Sequence, residues 1–291
     1  MKIALHDSDN TRFPNLVLMK LSAWHKAQGD DVCWYDALFG PFNKVYSSKI
    51  FTFTPVNDYL PKDAILGGTG YRNNVTLQDD IEHICPDYSL YGIDYSVGFL
   101  TRGCIRKCQW CVVPSKEGDI RAHADIEEFC RHDKAILLDN NVLSSPHGIS
   151  QIEKIARLGI KVDFNQGIDA RLIDDDIARL FGRVKWLSPV RLACDTLAQI
   201  KDIERAVELL RWHNCTPSRY FCYVLVRDME DAIKRVRLLK KLYLSPFAQP
   251  YIDPDGTPAT EEQRHFARWV NHKAEFGSRT WEGYKKAHMG F

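Results

Sequence analysis

The chain has 291 residues, 45% hydrophobic and 26% charged, which is enough apolar side chain for a buried core in one large domain or two unequal ones. Thirty-nine Lys and Arg against 38 Asp and Glu leave a formal charge of +1, so nucleic acid is not indicated as a partner held by non-specific phosphate contacts. No long apolar run reads as a membrane span and Met1–Asp7 lacks the apolar stretch of a signal peptide, so a cytoplasmic protein with reduced thiols and no membrane partner is expected.

Lys2 to Leu5 reads as a strand, the apolar period of Leu16, Met19, Leu21 and Trp24 as a helix stopped at Gly29, and Val32 to Tyr35 as a second strand. Lys49 to Thr54 alternates polar and apolar as a strand does, and Ala64-Ile65-Leu66 runs into Gly67-Gly68-Thr69-Gly70, read as a turn because the spacing is not that of a nucleotide fingerprint. Strands separated by helical patterns indicate a parallel α/β unit over residues 1–94. Cys85 to Gly92 reads as a linker rich in turn residues.

The next stretch carries the chemistry. Tyr95 to Leu100 forms a strand, and at its C-terminal end stands Gly103-Cys104-Ile105-Arg106-Lys107-Cys108-Gln109-Trp110-Cys111-Val112-Val113-Pro114. Three of the nine cysteines fall at the spacing C-x-x-x-C-x-x-C, so one loop can turn three thiolates toward one point. Such a triad suits an iron-sulfur cluster held by three ligands, with one iron left open. The alternative is a structural zinc site, which needs a fourth donor; His123 and His132 are the nearest in sequence, neither in a recognisable ligand spacing. The six other cysteines, scattered singly, read as small core residues.

Alternation then continues: helix 124–130, strand 135–138, helix 149–158 stopped at Gly159, strand 161–164, helix 176–181, strand 190–193, helix 197–212, strand 220–226, helix 229–242 and a strand near Phe247. Residues 95–250 thus contain six βα repeats. Lys234, Arg235, Arg237, Lys240 and Lys241 read as one solvated helix face. Residues 251–291 form a helical tail: Tyr251 to Gly256 is turn chemistry, and Thr260-Glu261-Glu262-Gln263 has the form of a capping box. Trp269, Trp281, Phe266, Phe276 and Tyr284 would pack this tail on the preceding domain.

Cys104, Cys108, Trp110 and Cys111 in the pattern C-x-x-x-C-x-aromatic-C resemble the signature of the radical S-adenosylmethionine (SAM) enzymes, and the flanking Gly103 and Val112-Val113-Pro114 look most like the branch with tRNA methylthiotransferases and cobalamin-dependent members. The resemblance implies a [4Fe-4S] cluster on the three cysteines, SAM chelated at the open iron, reductive cleavage to a 5′-deoxyadenosyl radical, hydrogen abstraction from a substrate, and an electron donor such as flavodoxin or ferredoxin. It also implies a partial (β/α)6 barrel preceded by a small Rossmann-like, cobalamin-binding-like domain. Three departures stand out: His6 to Arg12 lacks D-x-H-x-x-G, residues 1–94 hold only Cys33 and Cys85 for a second cluster, and the RNA-binding β-barrel of methylthiotransferases is missing. Methyl or methylthio transfer to a nucleic acid or peptide therefore ranks behind hydrogen abstraction.

Polar residues at the C-terminal ends of parallel strands project into one mouth. Asp139-Asn140-Asn141 follows the second barrel strand, where the family binds the SAM amine, though these residues also suit caps and turns. Gln166, Asp169 and Arg171 follow the third, with Arg171 facing either the SAM carboxylate or Asp169. Arg191 and Asp195 bracket the fourth and would reach inward together, Asp195 toward the ribose hydroxyls. Trp110 would cover either the adenine or the cluster.

Overall fold

The structure is a computed structural model that describes residues 1–73, 75–215, 220–252 and 257–290. The chain divides into two compact units, one of residues 1–98 with 124–132, the other of residues 99–123 with 133–291.

In the first unit β1 (Lys2–Asp7), α1 (Leu16–Ala27), β2 (Asp31–Trp34), β3 (Lys44–Ser48) and β4 (Ile65–Gly67) build an all-parallel sheet in the order β2-β1-β3-β4. Asn15 caps α1 by accepting from the Leu18 N–H, and Leu18 and Leu21 on its inner face pack with Ile3, Leu5 and Ile81 of the short helix α2 (Asp79–Glu82). The strand expected at Lys49–Thr54 does not form. Its backbone N–H groups at Ile50 and Phe51 go to the Asp9 carboxylate instead of a ladder, and the Lys49 side chain is buried over the Tyr71 ring. The glycine cluster is a packing turn: Gly68, at φ +98°, and Gly70 lie against the Lys49 backbone, where a β-carbon would collide. A short strand, β5 (Ser96–Gly98), ends this part of the unit.

The chain then enters the second unit for β6 (Thr101–Arg102), the single turn α3 (Val113–Lys116) and β7 (Arg121–Ala122), and returns to the first for α4 (Ile126–Phe129). Within the first unit the Tyr88 hydroxyl donates to the Phe129 carbonyl at 2.6 Å and Gly98 lies flat under the Phe129 ring.

The rest of the second unit alternates strand and helix: β8 (Lys134–Leu137), α5 (Pro146–Leu158), β9 (Lys161–Phe164), α6 (Asp175–Phe181), β10 (Lys185–Trp186), β11 (Arg191–Ala193), α7 (Ile200–Trp212), β12 (Phe221–Val226), α8 (Met229–Lys241) and β13 (Ser245–Pro250). All strand pairs among them are parallel: β8 with β9, β9 with β10, β11 with β12, and β12 with β13. A parallel bridge from Ile168 to Leu192 links the segment after β9 to β11. Helix stops follow the sequence, with Gly159 left-handed at φ +70° closing α5. Arg235 corrects the reading of α8 as carrying a uniformly solvated basic face. It is buried and donates to the carbonyls of Cys194 at 2.6 Å and Leu225 at 2.9 Å, tying the ends of β11 and β12 together.

The tail forms α9 (Glu261–Asn271), α10 (Lys273–Ser278) and α11 (Trp281–His288); α10 was not expected from sequence. Thr260 and Gln263 make the expected capping box, and Phe266, Trp269, Trp281 and Tyr284 are buried together. Asn271 pairs with the free edge of β13, accepting from the Ala248 N–H at 2.8 Å and donating to its carbonyl at 2.9 Å, as a neighbouring strand would. The expected turn at Asp253 to Gly256 lies outside the described residues.

Candidate functional site

The cysteine loop is the excursion between β6 and β7, an antiparallel pair that places Arg102 opposite Arg121. Like charges facing each other across strands repel, and the Glu117 carboxylate sits 3.6 Å from Arg102 and 3.9 Å from Arg121 to offset this. Gly103 begins the loop at φ +81°, with its would-be β-carbon driven into the Asp119 carbonyl, so only glycine fits the turn. The Cys104 N–H donates to the Gly118 carbonyl, which brings the loop's two ends together.

The strand end after β8 fastens this loop from below. The buried Asp139 carboxylate accepts the backbone N–H groups of Leu100 at 3.1 Å and Thr101 at 2.5 Å and the Thr101 hydroxyl at 2.7 Å. Burial pushes its pKa up to about 6 from 3.8, against these hydrogen bonds. Asn140 accepts the Gly103 N–H at 3.1 Å. Both residues thus pair N–H groups at the root of the loop that would otherwise lack an acceptor. Asn141 is different. It is buried, its Nδ2 points at the Cys104 sulfur (3.4 Å) and the Asp169 carboxylate (3.4 Å), and its Oδ1 is buried with no partner among the described residues.

Asp169 gathers two guanidiniums. Arg171 reaches it with Nε at 2.6 Å and a terminal nitrogen at 3.0 Å, and Arg106, from within the cysteine motif, at 3.1 Å. Burial would raise its pKa, but Arg171 and Arg106 outweigh that and hold the carboxyl below its ordinary 3.8. The structure thus favours Arg171 paired with Asp169 over Arg171 free for a carboxylate. Arg191 is likewise committed, holding Asp163 through two bonds of 2.7 and 2.6 Å. β11 ends at Ala193, so the strand alternation expected to align Arg191 with Asp195 stops short of Asp195. Asp195 accepts the Leu225 N–H at 3.3 Å, and burial raises its pKa against that bond, Arg235 and the Trp110 N–H. Gln166 is exposed.

Cys104 and Cys108 are half-buried and Cys111 is exposed, all with free thiols. Desolvation, then the neighbouring Cys111, raise the Cys108 pKa against the pull of Arg171; desolvation, Cys104 and Asp195 do the same for Cys111 against the Val113 N–H. A metal ion that bound such thiols would displace their protons into solvent. Cys104 carries a further mark of a ligand: its sulfur also accepts the Arg106 N–H at 3.2 Å. Three free thiols, N–H donors on a sulfur and an orphaned amide oxygen beside it suit an iron-sulfur cluster with a cationic ligand next to it. Among the described residues no group of three or more His, Cys, Asp or Glu side chains is placed to hold a metal ion, the three cysteines of the loop included. The fourth zinc donors considered above are used elsewhere: His132 bonds Ser96 at 3.0 Å within the first unit, and His123 packs edge-on to Phe99.

Two residues of the mouth were not anticipated: Arg106, within the motif itself, and Arg227, directly after β12. The strand-end rule applied to β12 as to its neighbours would have found the second. Trp110 is covered by Arg227, whose guanidinium lies 4.5 Å from the ring centre.

Comparison with known proteins adds no name to this geometry. No family model matches the chain, and no curated protein matches it.

Proposed function

We propose that the chain is a radical SAM enzyme, with Cys104, Cys108 and Cys111 holding a [4Fe-4S] cluster and the polar strand ends holding SAM, for hydrogen abstraction from a substrate. The observation that carries this reading is Asn141, whose amide N–H groups reach the Cys104 sulfur and Asp169 while its buried carbonyl oxygen is left without a donor. An ammonium is the donor such an oxygen needs, and a carboxyl oxygen with two arginines, Asp169, lies beside it. The second unit's parallel strands, neighbours in sequence order from β8 and β9 through the Ile168 bridge to β11, β12 and β13, support the partial (β/α)6 barrel that the motif implies. The all-parallel β2-β1-β3-β4 sheet supports the Rossmann-like reading of residues 1–94.

A bound cluster of this kind supplies the electron that cleaves SAM. The protein's own residues orient and shield. Asn141 Oδ1 would accept from the amine of the methionine moiety; Asp169 pairs with both Arg106 and Arg171, which leaves the trio one net positive charge. Trp110 excludes water from one side of the loop, and Asp195, beyond β11, faces the thiols from the other strand end.

The test is anaerobic reconstitution with iron and sulfide. The expected product is brown protein with about four irons per chain that releases 5′-deoxyadenosine from SAM on reduction. Colourless protein that takes up one zinc and no iron would sink the reading.

A further inference from the structure

Four guanidiniums around the parallel strand ends of the second unit are consumed by acidic or carbonyl partners. Arg106 and Arg171 share Asp169, Arg191 holds Asp163, and Arg235 is buried on Asp231 and two carbonyls. A fifth, Arg227, is exposed, and its guanidinium has no hydrogen-bond or ion-pair partner among the described residues. It is nevertheless held in place. Its guanidinium lies over Trp110 at 4.5 Å and over Tyr251 at 5.5 Å, while Gln263 Nε2 fixes its backbone carbonyl at 3.0 Å.

Stacking on aromatic rings engages the faces of a guanidinium and leaves the edge, with its fork of N–H donors, free. The two rings restrict rotation of the guanidinium, so less orientational freedom is lost when an anion docks. Planar, bidentate recognition of a carboxylate or phosphate is what such a fork suits. Trp110 is adjacent to Cys111, so a group bound at Arg227 stands at the edge of the cysteine loop.

We propose that Arg227, stacked on Trp110 and Tyr251, is the receptor for an anionic group, a carboxylate or phosphate, on the molecule handled at the cysteine loop. The location rests on the radical SAM reading only for the source of that anion: the methionine carboxylate of SAM, or the substrate's own charged group.

The test titrates pyrophosphate, and separately SAM, into the reconstituted protein by anaerobic calorimetry, with Arg227→Gln and Arg227→Lys beside the wild type. Iron content and circular dichroism are read on every sample. Pyrophosphate affinity is expected to fall about tenfold or more in Arg227→Gln, to be partly kept in Arg227→Lys, which retains charge without the fork, and to weaken as salt rises. A parallel loss of SAM affinity assigns the anion to the cosubstrate; unchanged SAM affinity assigns it to the substrate. The proposal is overturned if folded Arg227→Gln binds both probes as tightly as wild type, or if the wild type binds neither. Pyrophosphate binding needs no iron, so Arg227-dependent binding by a protein that takes up no cluster would leave this receptor standing while the radical reading fell.

Discussion

Asp139 illustrates how a carboxylate can serve a site without touching its ligand. Replacing it by Asn supplies one acceptor and one unwanted N–H pair where the Leu100 and Thr101 N–H groups converge, at a cost of about 1–3 kcal/mol. Asp139→Asn should therefore lower the melting temperature and the iron retained after reconstitution together. A pH dependence accompanies it. Because burial raises the folded-state pKa to about 6 from 3.8, the folded chain binds this proton more tightly than the unfolded one. The stability due to this group is fully present below about 3.8 and is lost as pH rises through about 6. Wild type minus Asp139→Asn stability, measured by denaturant unfolding across pH 4 to 7, should fall with pH; a flat difference would refute the assignment. Cys104→Ala, Cys108→Ala and Cys111→Ala should each abolish iron binding, whereas Cys130→Ala and Cys215→Ala should keep it; full iron in Cys108→Ala would remove the triad. At this scale the thiol spacing was legible because three cysteines on one loop are set by local sequence. The roles of Asp139, Asn140 and Arg191 were not, since which strand-end group finds an unpaired N–H or a carboxylate depends on partners 28 to 39 residues away.

Among elements, β13 is an edge strand whose outward N–H and C=O at Ala248 are paired by one side chain on α9. Asn271→Ala should expose or strand both groups, destabilise the chain by about 1–3 kcal/mol, and speed hydrogen exchange at the Ala248 amide above that of its neighbours. An unchanged exchange rate would mean that α9 covers the edge without this pair. The Gly103 turn is a second case: Gly103→Ala meets both a positive φ and the Asp119 carbonyl, so iron uptake should be lost although no ligand has changed. Helix periods and caps made the alternation of β8, β9, β11, β12 and β13 with their helices readable in the sequence, whereas the two-residue β10 went unread. The β6–β7 pair was missed because two-residue strands carry no period, and the strand at Lys49–Thr54 was misread because its alternation is real but Asp9 takes the hydrogen bonds.

For the molecule as a whole, 39 basic against 38 acidic residues predict little electrostatic attraction to nucleic acid. Binding to mixed-sequence RNA or duplex DNA at physiological salt should be no tighter than about 10⁻⁴ M, the weak end of non-specific association, as read by filter binding or anisotropy. Tight, salt-sensitive binding would point to a basic surface that the residue totals conceal. The described residues contain no helix long and apolar enough to cross a membrane. The first unit, finally, is written in two instalments, residues 1–98 and 124–132, with the thiol loop between them. On the ribosome the second instalment is made after the cysteines, so the Tyr88 hydroxyl has no Phe129 carbonyl to donate to, and Gly98 no ring above it, until residue 129 has emerged. Nascent thiols are thus in the open before the first unit can close. Any modification or loading of these thiols would have a window set by translation, and a chain stopped at Gly98 should yield less soluble protein than one stopped at His132.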